Sequence, residues 1–220
     1  MAINLNKVTL GKQGDSHQID LTKQSDSVSK EIVINLNWFQ EKQGAWSKFW
    51  KGDKSIDLDL GCFYELANGT IFAIDGLQFS HGRGGHKNQV TRQGCYTQKP
   101  WIWHTGDDRG NDSSGSAGEN ILVNPSGLSD IKRIIVYCFI YEGVAKWAET
   151  NGVVTIQVPD NSDVVVEMGK QSDSRKFCAI AEILFSTNAM TVKKLVTFHD
   201  GHSDCDKRYG LGMSYTAGTK

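Results

Sequence analysis

Two separated stretches concentrate the oxygen-bearing side chains that suit a hard cation. In the first, Ser55-Ile56-Asp57-Leu58-Asp59-Leu60, carboxylates alternate with aliphatic residues, so an extended strand would set Asp57 and Asp59 on one face and Ile56, Leu58 and Leu60 on the other. Two like charges about 7 Å apart on one strand repel unless something positive lies near them. The second stretch runs from His104-Thr105-Gly106-Asp107-Asp108-Arg109 through Asn111, Asp112 and a Gly/Ser-rich segment to Glu119. It combines carboxylate, amide and hydroxyl oxygens with a backbone free to fold tightly and turn its carbonyls inward. All-oxygen donors of this kind match calcium better than zinc or copper. Asp57, Asp59, Asp107, Asp108, Asn111, Asp112 and Glu119 are therefore the candidate metal ligands. Asp107 leads because it sits at a Gly-Asp turn. The alternative is an edge strand with a wet acidic face beside a solvated Gly/Ser loop.

Those residues need a scaffold, and the periodicity of the chain is that of strands. From Glu31 to Trp38, Ile32, Ile34, Leu36 and Trp38 share one face. Similar runs occur at 3–10, 56–66, 70–75, 101–104, 121–124, 133–141, 153–158, 164–168, 177–185 and 192–199, most of them separated by turn chemistry. Ala67-Asn68-Gly69-Thr70 reads as a hairpin with a type I′ turn. No segment has sustained helical periodicity, although 145–150 and 172–176 could each make a single turn. The expectation is an all-β, two-sheet sandwich of about ten short strands with one or two helical turns, forming one domain over residues 1–220. Residues 11–30 and 79–99 read as long polar loops.

Composition narrows the functions open to such a domain. With 220 residues, 39% of them hydrophobic, the chain can bury a real core. A net charge of −1 with interspersed signs gives no field to draw in nucleic acid or anionic membrane. No apolar run approaches the roughly 18 residues of a membrane span and no signal-peptide pattern opens the chain, which points to the cytoplasm. The five cysteines are odd in number and never form C-x-x-C, which speaks against a disulfide framework or thiolate zinc site. Cys138 and Cys178 read as reduced core thiols, and their positions in apolar strands suggest that no two thiols meet. The chain lacks a Gly-x-Ser-x-Gly elbow, a phosphate-binding loop and H-E-x-x-H, so it carries no motif of a nucleophilic, nucleotide-driven or zinc hydrolase. A non-enzymatic role is expected.

The order of motifs is itself informative. Ile34-Asn35-Leu36-Asn37-Trp38, Ile56-Asp57-Leu58-Asp59-Leu60, His104-Thr105-Gly106-Asp107-Asp108-Arg109 and Ile131-Lys132-Arg133-Ile134-Ile135-Val136 follow one another. In this the chain resembles the TerD family of bacterial tellurite-resistance and stress proteins, over roughly Val28 to Gly210. The tail Arg208-Tyr209-Gly210-Leu211-Gly212-Met213 looks more like the TerA branch. The resemblance implies a two-sheet sandwich that binds calcium through the acidic segments and a role in tolerance of tellurite or other stress. It implies partners among other stress and tellurite-resistance proteins, with peripheral membrane association left open. In the family the acidic loop usually continues with a run of Glu and Asp. Here Asn111-Asp112-Ser113-Ser114-Gly115-Ser116-Ala117-Gly118 intervenes before Glu119, so weaker binding, or one site in place of two, is expected.

Other readings stay beside this one. A carbohydrate-active sandwich would use Asp57 or Asp59 with a loop carboxylate as an acid/base pair, with Trp101 and Trp103 as an aromatic platform. Trp46, Phe49 and Trp50 form a second aromatic cluster. His81-Gly82-Arg83-Gly84-Gly85-His86 reads as a surface loop before a metal or anion site. His199–Asp206 is rich in metal-ligand types and Asp204 and Asp206 repeat the two-residue spacing; with Lys207 and Arg208 at hand to pair with those acids it reads as an ion-paired segment before a second metal site.

Overall fold

The computed structural model describes residues 7–23, 31–38, 56–79, 85–106, 118–141 and 145–215. Among these, thirteen strands form two sheets. The seven-stranded sheet runs β1 (Val8–Leu10), β11 (Val164–Glu167), β10 (Val153–Gln157), β3 (Ile32–Asn37), β8 (Glu119–Val123), β7 (Ile102–His104), β6 (Gly94–Cys95). The six-stranded sheet runs β2 (Ser16–Asp20), β13 (Ala189–His199), β12 (Phe177–Phe185), β9 (Ile131–Ile140), β4 (Leu58–Leu66), β5 (Ile71–Asp75). Pairing is antiparallel except between β1 and β11.

Alternation sets which side chains meet. In β3, Ile32, Ile34 and Leu36 are buried while the residues between them are partly exposed. They face Leu58, Leu60, Cys62, Ile134, Val136 and Cys138 of the other sheet in one apolar core. Burying such side chains contributes about 1.5–3 kcal/mol each. A second apolar layer lies on the other side of the six-stranded sheet, where Phe63, Ile135, Tyr137, Phe139 and Phe177 pack with Cys205 and Leu211. Cys205 belongs to helix α2 (His202–Tyr209), which ends at Gly210 in the left-handed conformation, φ 66°. A single helical turn, α1 (Trp147–Thr150), stands where one was expected, whereas residues 172–176 form none.

The all-β sandwich expected from periodicity is the fold observed, with several differences in detail. Both supposed long loops contain strands, β2 in the first and β6 in the second. The hairpin at 67–69 is real, but only Gly69 has positive φ, at 84°. Gly69 N–H donates to Leu66 O and Leu66 N–H to Thr70 O, the pattern of a three-residue loop closed by a left-handed glycine rather than a type I′ turn. The thiol expectation also changes, because Cys138 and Cys178 are cross-strand partners. All five cysteines are buried and free.

Strand registers gather the acidic segments at one end of the sandwich. β4 begins where β9 ends, Leu58 opposite Ile140, and β8 begins where β3 ends, Glu119 opposite Leu36. β12 begins opposite the end of β13, Phe177 facing His199. The connections after His104 and before Glu119, and the start of α2, therefore share one pole with Asp57 and Asp59.

Candidate functional site

The pole is organised around the backbone of Leu60. β5 pairs with β4 only as far as Gly61, opposite Asp75, so Leu60 has no strand partner on that side. Side chains from the other sheet take the place of one. Leu60 N–H donates to Glu119 Oε2 at 2.5 Å, and Leu60 O lies 3.1 Å from His104 Nε2. Gly106 N–H donates to His104 Nδ1 at 3.1 Å; Nδ1 is thus the unprotonated nitrogen and Nε2–H the donor to Leu60. His104 and Glu119 are the strand ends from which the acidic loop springs, and both are fastened to the residue after Asp59.

Glu119 and Asp59 are buried, 2% and 1% exposed. Glu119 shares its face of β8 with Ile121 and reaches between the sheets. Asp59 is set on the opposite face of β4 from Leu58 and Leu60, paired in register with Phe139. Burial raises the Cys138 thiol pKa, and the negative charges of Glu119 and then Asp59 raise it further. Asp57 lies just before β4 and is partly exposed. Asp107, Asp108, Asn111 and Asp112 lie outside the described residues. Among the described residues no group of three or more His, Cys, Asp or Glu side chains is placed to hold a metal ion.

Sequence reasoning overlooked a donor beside this loop. Gln93 is 3% exposed; its amide Nε2 donates to His104 O at 3.0 Å, and its Oε1 is buried with no hydrogen-bond partner among the described residues. Of the tryptophans before the loop, Trp101 is packed and hydrogen-bonded within the fold. Trp101 Nε1–H donates to Asp130 at 2.8 Å, and a β-carbon on Gly127 would fall 1.9 Å from its ring. Trp103 Nε1 is buried without a partner among the described residues. His86 Nδ1 accepts from Asn88 N–H at 3.4 Å. His81 to Gly84, and Trp46, Phe49 and Trp50, lie outside the described residues.

The His199–Asp206 segment is a hydrogen-bonded anchor for α2. Asp204 does not pair with Lys207 or Arg208; its Oδ2 is 3.2 Å from His199 Nδ1, and His199 Nε2 is 2.9 Å from Thr197 Oγ1. Burial holds the His199 imidazole below its ordinary pKa, with Arg175 and Arg208 adding to the effect, against the pull of Asp204. These groups line a groove of about 430 Å³ beside β13, where Val196 is strained at φ 47° within a bulge opposite Ile180. Asp206 is 3% exposed and accepts from Gly212 N–H at 2.6 Å, Met213 N–H at 2.8 Å and Tyr215 O–H at 2.9 Å. One turn before Asp206 on α2, His202 Nε2 is 2.8 Å from Asp75 Oδ2, which also accepts from Tyr137 O–H at 2.6 Å. Burial alone would raise the pKa of Asp75; the bonds from His202, Tyr137 and Leu77 together hold it below the ordinary carboxylate value.

Fold and site together define a two-sheet β-sandwich with an acidic loop sewn by both ends onto an Asp-Leu-Asp strand. Such a chain is similar to a tellurium-resistance protein: it is 31% identical over 222 residues to the tellurium resistance protein TerA of an Alcaligenes species, a match covering 99% of the chain. The chain spans 60% of that relative's length. No protein-family profile matches it. Among solved structures it is similar to SAV2460, a protein of unknown function, with TM-score 0.49 and 12% identity over 84% of this chain and 99% of that one. It is also similar to SCO6318 of Streptomyces coelicolor A3(2), a homologue of telluride resistance protein TerD, with TM-score 0.47 and 15% identity over 81% and 95% of the two chains.

Proposed function

We propose that the chain is a calcium-binding, non-catalytic module of tellurite resistance and stress tolerance, in which the cation orders the acidic loop at the pole for partner binding. The observation that supports this reading is that His104 and Glu119, which flank the acidic segment, both bond the backbone of Leu60, the residue after Asp59. A loop so anchored keeps its span fixed while its carboxylates repel one another, and a divalent ion relieves that repulsion. Asp57, Asp59 and Glu119 would supply oxygens from the fixed strands, and Asp107, Asp108, Asn111 and Asp112 would supply the remainder from the loop. The ion's contribution is charge neutralisation; the protein's is to fix the two loop ends. The ordered patch would then dock another resistance protein, in the cytoplasm or at a membrane surface. Among the described residues no helix is long and apolar enough to cross a membrane.

Calorimetric titration of chelator-treated protein with calcium tests the reading, with Asp107→Ala alongside. Heat of binding for the unmodified protein and a weakened signal for the variant are expected. A flat trace for the unmodified protein refutes the proposal, and equal heats for both place the ion away from Asp107.

A further inference from the structure

The groove beside β13 is built from three parts of the chain. Arg175 comes from the segment before β12, Thr197 and His199 from β13, Asp204 and Arg208 from α2. A line of hydrogen bonds runs along its wall. Asp204 Oδ2 is 3.2 Å from His199 Nδ1, His199 Nε2 is 2.9 Å from Thr197 Oγ1, and Thr197 Oγ1 is 2.6 Å from the Tyr209 hydroxyl. A carboxylate only accepts, so in the neutral ring Nδ1 carries the proton, Nε2 accepts from Thr197 O–H, and Tyr209 O–H donates to Thr197 in turn. β13 is distorted where this line meets the groove: Val196, β-branched and just before Thr197, is held at φ 47° within the bulge opposite Ile180. Strain of that kind collects at ligand sites, where a bulge re-aims the side chains beside it.

The charges around the groove are unevenly used. Arg175 gives Nε and Nη2 to Asp173 at 2.9 and 2.6 Å, which leaves Nη1 without an acceptor among the described residues. The Arg208 guanidinium bonds no acceptor among the described residues. Asp204, the carboxylate on the groove, is turned to His199 and to the Asp200 N–H at 3.3 Å. Two guanidinium groups with open donors on one concavity, beside a hydroxyl, fit an anion that offers several oxygens at once. The same two arginines help to keep the His199 imidazole neutral. An anion between them would cancel that effect, and a proton on His199 would then offset Asp204. The other charged and titratable groups around the imidazole are Asp173, Asp200 and Tyr209. The Asp173 and Asp204 carboxyls are held below their ordinary pKa, chiefly by bonds from Arg175 and from the Asp200 N–H, and burial raises the Tyr209 phenol.

We infer that this groove binds a compact oxyanion, a phosphate- or sulfate-type group held by Arg175 and Arg208, and that His199 takes up a proton as the anion enters. The site uses none of the residues of the acidic loop, so it stands or falls independently of the calcium reading.

Sulfate is the probe, because it stays a dianion across the range in which histidine titrates. Calorimetric titration of the full chain at constant ionic strength should show saturable binding, and Arg208→Gln should weaken it at least about tenfold, the loss expected for charge-assisted bonds, with its melting temperature in the absence of sulfate unchanged. Should that variant fail to fold, Arg208→Lys decides: lysine keeps the charge but not the fork, so binding should weaken severalfold. In the unmodified protein affinity should rise severalfold from about pH 8 to about pH 5, and in His199→Gln it should stay level. Inorganic phosphate, compared at about pH 8 where it is also mainly a dianion, separates a phosphate-type from a sulfate-type ligand by which of the two binds more tightly. No saturable binding of either anion by the unmodified protein, or equal affinity in the Arg208 variants, overturns the inference. A rise with falling pH that His199→Gln retains overturns the coupling to the imidazole.

Discussion

Glu119 separates a structural from a cation-binding role within one side chain. It accepts the Leu60 N–H at 2.5 Å in a fully buried setting, Leu60 being 0% exposed. Glu119→Ala leaves that amide without its acceptor, which costs about 1–3 kcal/mol, and the lost side-chain atoms add to the cost. At about 2–4 °C per kcal/mol for a domain of this size, the variant should melt about 5–10 °C lower even in chelator. Glu119→Gln keeps an oxygen for Leu60 and removes the charge, so in chelator its melting temperature should fall by no more than a few degrees.

Calcium should then divide the two proteins. At a free concentration of about 100 times Kd a ligand stabilises the native state by about 2.7 kcal/mol, a rise of about 5–10 °C in the unmodified protein. If Glu119→Gln binds about tenfold more weakly, the same concentration gives about 1.4 kcal/mol and roughly half the rise. Differential scanning calorimetry with calcium and with chelator measures all four quantities. An equal calcium-induced rise in Glu119→Gln would remove Glu119 from the ion's ligands. Unchanged stability of Glu119→Ala in chelator would refute the assignment of Glu119 as the acceptor that replaces a strand at Leu60.

Three further outcomes follow from other parts of the molecule. Asp206→Ala removes the acceptor of three hydrogen bonds from Gly212, Met213 and Tyr215. It should destabilise by about 2–4 kcal/mol and speed amide exchange in residues 210–215, read by hydrogen-exchange mass spectrometry; unchanged exchange there would refute the anchor. Lys194 is 7% exposed and its ammonium donates to Leu10 O, Gly11 O and Glu167 O, tying the edge of one sheet to β13 of the other. Lys194→Met should therefore cost about 2–3 kcal/mol in denaturant unfolding, and a loss below about 0.5 kcal/mol would discount the clamp. His199 has a lowered folded-state pKa. Between that value and the unfolded value of about 6.5 the unfolded chain binds more protons, so stability is lost as pH falls through this window. Melting curves from pH 8 to pH 5 should show a smaller decline for His199→Gln, and an identical decline would assign the loss to other groups.

The sandwich was legible where burial follows chain alternation. Ile32, Ile34 and Leu36 face the core and the residues between them do not, and the period of two survives in the sequence as it stands. β2 was not legible, because in Ser16–Asp20 only Ile19 is buried. An edge strand of that kind carries too little apolar contrast to show a period. α2 was missed for a related reason. His202–Tyr209 buries Cys205 and Asp206 and leaves most of its surface polar, so its evidence lay in its ends: Asp204 in the first turn, Lys207 and Arg208 in the last, and Gly210 beyond. The pairing expected for Asp204 and Asp206 failed because charge neighbours in sequence were weighed, whereas His199 and the amides of Gly212 and Met213 arrive by the fold.

The same distinction governs the candidate site. Asp57, Asp59 and Glu119 could be read as oxygen donors from their types and spacing, and the resemblance put them together. Gln93 could not, since a glutamine in a polar stretch is ordinary until its amide is found buried with one end bonded to His104 and the other without a donor. What makes the pole specific is the early end of β5 at Asp75. Had that strand run one pair further, it would have satisfied Leu60, and neither His104 nor Glu119 would have had a backbone to grip. The acidic loop is tied down by a deficiency in the opposite sheet, so lengthening β5 should free the loop even with every carboxylate left in place.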